Sequence, residues 1–187
     1  MATIRLIPSA YTFSNTSYVI ANSSYPMSNA YANTDSTTEA RATHNRNQNS
    51  TYYVYLHNFN FSDVPSDAVV SSFTVKIKIA HSGLSTSSSY RMSLYHGSTS
   101  ISNTTCASSW TTSAAIYTFP NGSLDWETLS GYGNNFRIRI PLRRSSSGTS
   151  GYARIYGAEI LVNYTIPTSY TITASSSATG VTATPAT

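Results

Sequence analysis

Two segments of the chain, residues 73–79 and 136–142, alternate apolar and polar residues with a period of two. One side of each segment is aliphatic or aromatic and the other side carries Lys or Arg. This is the pattern of a half-buried strand in an antiparallel sheet. We expect the apolar residues to face a core and the four basic residues to face outward, namely Lys76, Lys78, Arg137 and Arg139.

Shorter β-prone segments lie between clusters of turn-forming residues along the rest of the chain. The first, residues 4–7, predicts a strand that Pro8 stops. The last, residues 153–166, predicts a long strand with Glu159 on its exposed side, where it can pair with a basic residue. The other side of that strand should face the core, namely Tyr156, Ala158, Ile160, Val162, Tyr164 and Ile166. Further strands are predicted at 18–20, 40–43, 51–56, 69–80, 90–95 and 115–119, and one helical turn at 125–131.

About eight strands separated by turns, with no helical segment of comparable length, predict an all-β fold. The expected architecture is an antiparallel two-sheet sandwich, jelly-roll-like, that spans residues 1–167. Residues 168–187 hold no charged side chain and are rich in Ser, Thr and Ala. They predict either a linker with the first strand of a further immunoglobulin-like domain or a flexible tail.

Composition narrows the class of protein. Only 10% of the 187 residues are charged, while Ser, Thr and Asn together supply 74 of them, as is common in β-proteins of virions and extracellular surfaces. The net charge is +4 and the longest basic run is Arg143-Arg144, so we expect no nucleic-acid partner. The single cysteine, Cys106, excludes an internal disulfide. No apolar run is long enough for membrane insertion, and we expect synthesis and assembly in a cytoplasm.

The succession of segments resembles a broad group of β-sandwich proteins from the structural modules of tailed bacteriophages. The resemblance rests on a Pro-containing loop at 59–69, the Leu124-Asp-Trp126 segment, the strand opening at 134–138 and the closing strand at 156–164. It implies a virion structural component, such as a capsid decoration, head fibre or tail appendage protein, assembled in the host cytoplasm. The implied partners are capsid or tail proteins and identical copies of the chain.

Catalytic and metal-binding patterns are weak in this sequence. There is no Gly-x-Ser-x-Gly motif, the four histidines are dispersed, and Cys106 has no obvious partner. Asp125 and Glu127 are close together, but a helix N-cap explains Asp125 more simply than glycoside hydrolysis does. We therefore predict that the chain is not an enzyme and has no metal or cofactor.

A binding function is the alternative. Aromatic rings pack on the C–H groups of sugars, while amides and arginines bond the hydroxyls. Trp110, Tyr132 and Tyr152 are predicted on loops and are candidate ligand contacts. They favour a carbohydrate- or receptor-binding module that recognises a host-surface sugar. Flat apolar or main-chain contacts between neighbouring copies would favour assembly in a virion, whereas a defined sugar pocket with stacked aromatic residues would favour sugar binding.

Overall fold

A computed structural model describes residues 1–45, 50–85, 90–106, 109–144 and 150–168. The prediction for 168–187 therefore lies, except for Thr168, outside the described residues. The described part contains eleven strands and one α-helix. The strands are β1 (Ala2–Leu6), β2 (Pro8–Phe13), β3 (Val19–Ala21), β4 (Ala40–His44), β5 (Tyr52–Phe59), β6 (Val69–Ser82), β7 (Ser93–His96), β8 (Thr99–Ser100), β9 (Ala115–Thr118), β10 (Phe136–Leu142) and β11 (Gly151–Thr165). The helix α1 is Trp126–Gly131, and short 3-10 helices occur at Met27–Ala30, Phe61–Asp63 and Gly133–Asn135.

The strands form two antiparallel sheets. Sheet A has the order β3-β4-β11-β6-β9, and sheet B has the order β2-β5-β10-β7-β8. One edge of β11 pairs with β6 along its length, while the other edge pairs first with β4 and then with β1. Strands β4 to β11 follow a jelly-roll order, in which successive strands mostly pass from one sheet to the other. The predicted all-β two-sheet sandwich is therefore confirmed.

The core lies between the two sheets, and the predicted faces of the two alternating strands are confirmed. The apolar series is buried: Phe73, Val75, Ile77, Ile79, Phe136, Ile138, Ile140 and Leu142. The four basic residues between them stay partly exposed: Lys76, Lys78, Arg137 and Arg139. Burial of one such aliphatic side chain contributes about 1.5–3 kcal/mol, so these strands supply much of the folding free energy.

The N-terminal segment differs from the prediction that Pro8 ends strand formation. Strand β1 ends at Leu6, and Pro8 is the first residue of β2, which belongs to the other sheet. Proline is tolerated here because β2 is an edge strand, where one side of the main chain needs no ladder hydrogen bond. Residues 6–8 thus carry the chain from sheet A to sheet B.

A β-bulge between Ile155 and Gly157 changes the alternation along β11. Ile155 is buried in the core, and Tyr156 lies on the outer face, where its hydroxyl donates a hydrogen bond to Glu39 Oε2 at 3.1 Å. The prediction that Tyr156 shares the core side is wrong because the extra residue reverses the side on which the following residues lie. Ile166, which follows the end of β11, is 55% exposed and also departs from the prediction.

Glu159 pairs with a basic residue as predicted, but its predicted exposure is wrong. Its side chain lies on the outer face of sheet A, yet the residue is only 2% exposed. Thr34 Oγ1 donates a hydrogen bond to Glu159 Oε1 at 2.7 Å, and Arg5 Nη1 lies 3.6 Å from Oε2. The segment that carries Thr34 covers the middle of sheet A, so a loop from the N-terminal region buries the carboxylate.

Helix α1 confirms the predicted turn and its cap. The Asp125 carboxylate accepts a hydrogen bond from the Thr128 N–H at 2.7 Å, and this bond lowers the pKa of Asp125. Trp126 packs against Phe61 and Phe73, with ring centroids 5.9 and 6.1 Å away. In the described part of the chain, no helix has the length and apolar character needed to cross a membrane.

Candidate functional site

The outer face of sheet B presents tyrosines and arginines on three neighbouring strands. Tyr53 and Tyr55 alternate along β5, Arg137 and Arg139 alternate along β10, and Tyr95 lies on β7. The register places Arg139 opposite Tyr55, and Arg137 opposite Tyr95. On each of these strands the neighbouring residues in sequence point into the core. Successive side chains of a strand point to opposite faces, so these five side chains lie on the outer face. We call these five residues the Tyr–Arg face.

Arginine and tyrosine side chains are in direct contact on this face. The Arg139 guanidinium lies over two rings, 4.6 Å from the Tyr53 centroid and 4.3 Å from that of Tyr95. The Arg137 guanidinium lies 5.7 Å from the Tyr55 centroid. Such cation–π contacts are worth about 0.5–1 kcal/mol each at exposed sites. They hold the guanidinium groups in place beside the rings.

In the described part of the chain, no ion pair neutralises Arg137 or Arg139. None of the five strands of sheet B contains Asp or Glu. Among the described residues, the Nε atoms of Arg137 and Arg139 are buried and have no hydrogen-bond partner. The exposed residues Thr12 and Ser100 flank the face on the neighbouring strands. The face therefore combines positive charge, aromatic surface and hydroxyl groups.

Tyr55 stays protonated in this setting. Burial raises its pKa, and this effect outweighs the lowering by the Arg139 and Arg137 charges. A neutral phenol does not cancel the positive charge of the arginines. The face therefore keeps its cationic character at neutral pH.

Two arginines of sheet A, Arg5 and Arg41, are paired with carboxylates. Arg5 forms ion pairs with Asp35 and Glu159. Arg41 forms an ion pair with Glu39 and stacks over the ring of Tyr25 at 3.6 Å. These contacts neutralise Arg5 and Arg41, whereas Arg154 on β11 donates a hydrogen bond to the Thr112 carbonyl and has no carboxylate partner among the described residues.

The three residues that the sequence predicted as ligand contacts lie in three different places. Trp110 is 1% exposed and belongs to the core, so its predicted loop exposure is wrong. The polar segment around it folds against the sandwich, and burial of so large an apolar ring outweighs the polarity of its neighbours. Its ring lies 5.4 Å from His81, whose pKa is lowered by burial and by the nearby Arg154.

Tyr132 and Tyr152 are both partly buried. Tyr132 follows helix α1, packs against the core and stacks on His96 with the ring centroids 4.1 Å apart. Tyr152 lies in strand β11 and not on a loop, with the Arg41 guanidinium 4.9 Å from its ring. The structure therefore does not join Trp110, Tyr132 and Tyr152 into one site.

The sequence interpretation found the outward arginines but missed their tyrosine neighbours. The alternation of Tyr53 and Tyr55 with Val54 and Leu56 was a usable signal for an aromatic face. What connects the tyrosines to the arginines is the pairing of β5 with β10, which joins residues about 80 positions apart along the chain. A local pattern carries no information on that pairing.

A second surface feature lies at the end of the sandwich where β6 begins. It is a groove of about 780 Å³ whose lining includes Phe61, Pro65, Val69, Val70 and Trp126. Val69 is 57% exposed. Asp125 and Glu127 also line this groove. We call it the end groove.

Metal binding and thiol chemistry receive no support from geometry in the described residues. No group of three or more His, Cys, Asp or Glu side chains there could hold a metal ion. Cys106 is buried, and this burial raises its pKa to about 12 although Arg91 acts in the opposite direction. A thiol of that pKa is a poor nucleophile at neutral pH.

Comparison with known proteins identifies no relative. No family profile, curated protein or solved structure matches the chain.

Proposed function

We propose that this protein is a non-catalytic carbohydrate-binding module whose Tyr–Arg face contacts a sugar chain. The observation that carries the proposal is the joint presence of Tyr53, Tyr55, Arg137 and Arg139 on one sheet face. The partly exposed rings offer apolar surface to sugar C–H groups, and the guanidinium groups offer several N–H donors to sugar oxygens. Jelly-roll sandwiches include lectin domains, so the fold admits this use.

The shape of the face favours an extended sugar chain over a single small molecule. The five residues lie on three adjacent strands, and neighbouring strands are about 4.8 Å apart. They form a sheet surface and not an enclosed cleft. The face therefore has the aromatic and polar groups expected for sugar binding, but on an open surface and not in the defined pocket that the sequence-based criterion requires.

The lack of acidic residues on the strands of sheet B supports a non-catalytic role for the Tyr–Arg face. Asp125 caps helix α1. Asp35, Glu39 and Glu159 are each paired with an arginine. Glycoside hydrolysis needs two carboxylates on either side of a sugar bond, and the strands of sheet B supply none.

Binding of the purified chain to a broad panel of immobilised polysaccharides, neutral and acidic, tests the proposal. We expect retention on at least one polysaccharide and about a tenfold weaker affinity for Tyr55→Ala, because loss of one stacked ring costs about 1–1.5 kcal/mol. Tyr152→Ala is the matched control, since Tyr152 also lies beside an arginine but on sheet A. Absence of binding to the whole panel, or equal losses in both variants, contradicts the proposal.

The second candidate function is a structural component of a bacteriophage virion that acts by assembly. Jelly rolls also form viral capsid domains. The end groove, with the exposed apolar residue Val69, is the observation that favours this candidate. Its partners would be identical copies or capsid and tail proteins.

A further inference from the structure

We infer that the ligands of the Tyr–Arg face are acidic polysaccharides, recognised through carboxylate or sulfate groups. This inference rests on the proposed carbohydrate-binding function and specifies the class of sugar. It follows from the clustering of Arg137 and Arg139 on a sheet whose strands contain no Asp or Glu. Sheet A supplies its own carboxylates to Arg5 and Arg41, whereas sheet B leaves Arg137 and Arg139 without one.

The positive charge extends along the strands beyond the Tyr–Arg face. Arg143 follows the end of β10, after the buried residues Pro141 and Leu142, and is partly exposed. Its guanidinium lies 4.7 Å from the ring of Tyr90. Arg91 precedes β7 by two residues, donates a weak hydrogen bond to the Cys106 carbonyl at 3.4 Å and leaves its Nε without a partner among the described residues. Because β7 and β10 are antiparallel, Arg91 and Arg143 lie at the same end of sheet B, beyond Arg139, where a linear polyanion on the Tyr–Arg face could also contact them.

Arginine is the side chain best suited to this recognition. Its planar guanidinium can donate two parallel hydrogen bonds to one carboxylate or sulfate group. The contacts of Arg139 with Tyr53 and Tyr95 hold it in place before binding, so less side-chain entropy is lost when the ligand arrives. An uncharged sugar can accept hydrogen bonds from the same guanidinium groups, but it lacks the charge–charge attraction that an acidic sugar has.

Nucleic acid is the other linear polyanion, and the geometry favours it less. Single-stranded nucleic acid binds by stacking bases on open aromatic ring faces. Tyr95 is only 9% exposed, and Arg139 lies over both Tyr95 and Tyr53. Arg139 therefore covers two of the three rings on which successive bases would stack, whereas a sugar can still use Tyr55 and the arginine donors.

Calorimetric titration with matched polysaccharide pairs tests the inference. The pairs are dextran sulfate with dextran, and polygalacturonate with its fully methyl-esterified form, so that only the anionic group changes within each pair. A single-stranded oligonucleotide is the fifth probe. We expect at least one acidic polymer to bind ten or more times tighter than its uncharged partner and than the oligonucleotide, and its affinity to fall as salt is added.

Single-charge variants locate the binding surface. Arg137→Gln and Arg139→Gln should each weaken binding of the acidic polymer by about tenfold, the usual effect of one charge-assisted hydrogen bond. Lys76→Gln removes the same charge from the outer face of sheet A and should change the affinity less than about twofold. Circular dichroism checks folding, and Arg137→Gln decides the result if Arg139→Gln does not fold.

Each contrary result identifies what fails. Equal binding of charged and uncharged partners overturns the acidic-sugar inference and leaves the carbohydrate-binding function standing. Absence of binding to all the polysaccharides overturns both. Oligonucleotide binding as tight as that of the best polysaccharide assigns the face to nucleic acid, and an equal loss in Lys76→Gln shows that only net charge matters.

Discussion

Individual residues in this chain owe their exposure to distant neighbours more than to their local sequence. Trp110 and Cys106 lie in a segment dominated by Ser and Thr, yet both are buried in the core. Glu159 is buried under a loop that comes more than a hundred residues earlier in the chain. At this scale, residue type sets the free energy of burial, and the tertiary contacts decide whether burial occurs.

Cys106 provides a prediction at the residue scale. With a pKa of about 12, its thiol at neutral pH holds about a thousandth as much thiolate as an ordinary cysteine. We expect the native protein to react with Ellman's reagent far more slowly than the protein unfolded in guanidinium chloride. The absorbance of the released thiol anion measures both rates. Native and unfolded rates within a factor of ten of each other would contradict the buried position of Cys106.

At the scale of elements, the alternation of β11 is governed by its bulge. The strand keeps period two from Gly151 to Ile155 and again from Ala158 to Val162, but the bulge changes which residues face the core. The close approach of another segment explains why glycine stands there. The Ala158 N–H donates a hydrogen bond to the Ala32 carbonyl at 2.9 Å, so the loop that covers sheet A is anchored at this point.

Gly157→Ala should destabilise the protein by about 1–3 kcal/mol, the usual cost of overpacking. A Cβ at this position would lie 2.2 Å from the Asn33 carbonyl oxygen and 2.5 Å from that of Ala32. These are main-chain atoms, so the loop must move and the Ala158 hydrogen bond must lengthen. The unfolding midpoint in urea measures the effect.

Gly131→Ala is the control for this substitution. Gly131 ends helix α1, and an added Cβ would meet no atom within 4 Å. We expect an unchanged or slightly higher stability, because alanine lowers the entropy of the unfolded chain. Equal effects of the two substitutions would show that the loop does not press on Gly157.

The whole molecule is a jelly-roll sandwich with two surfaces available for partners. The Tyr–Arg face covers the middle of sheet B, and the end groove lies where β6 begins. These surfaces differ in chemistry, since one is cationic and aromatic and the other combines apolar side chains with two carboxylates and two serines. A module that binds sugar through one and a protein copy through the other would combine both candidate functions.

Assembly through the end groove is the prediction at this scale. If the groove joins copies of the chain, the full chain should form oligomers in sedimentation velocity experiments, and Val69→Lys should shift them toward the monomer. Val69 is 57% exposed and lines the groove, so its replacement places a charge in the contact. An isologous contact would carry this change twice, which increases the effect.

Ile20→Lys is the control for assembly. Ile20 is 41% exposed on β3, an edge strand of sheet A far from β6 in the strand order. The substitution should therefore leave the oligomer unchanged. If the unmodified chain is monomeric at every concentration tested, the hypothesis of self-assembly through this groove is contradicted. The carbohydrate-binding proposal does not depend on that result.

The amino-acid sequence by itself determined the fold class and the orientation of the two clearest strands. Period-two alternation in 73–79 and 136–142 is local, and only one side of such a strand can be buried without exposing the apolar residues. The cap of helix α1 by Asp125 is equally local, since donor and acceptor are three residues apart. These features were predictable because their causes lie within a few residues.

Only the tertiary structure decided which surfaces these strands form together. The pairing of β5 with β10 brings Tyr55 beside Arg139, and the covering loop gives Glu159 its buried position. The bulge in β11 and the burial of Trp110 likewise depend on segments distant in the chain. The physical reason is that the local sequence of a strand determines only which of its sides is apolar. Its neighbouring strand, its register and the loops that pack over it depend on the packing of the complete fold.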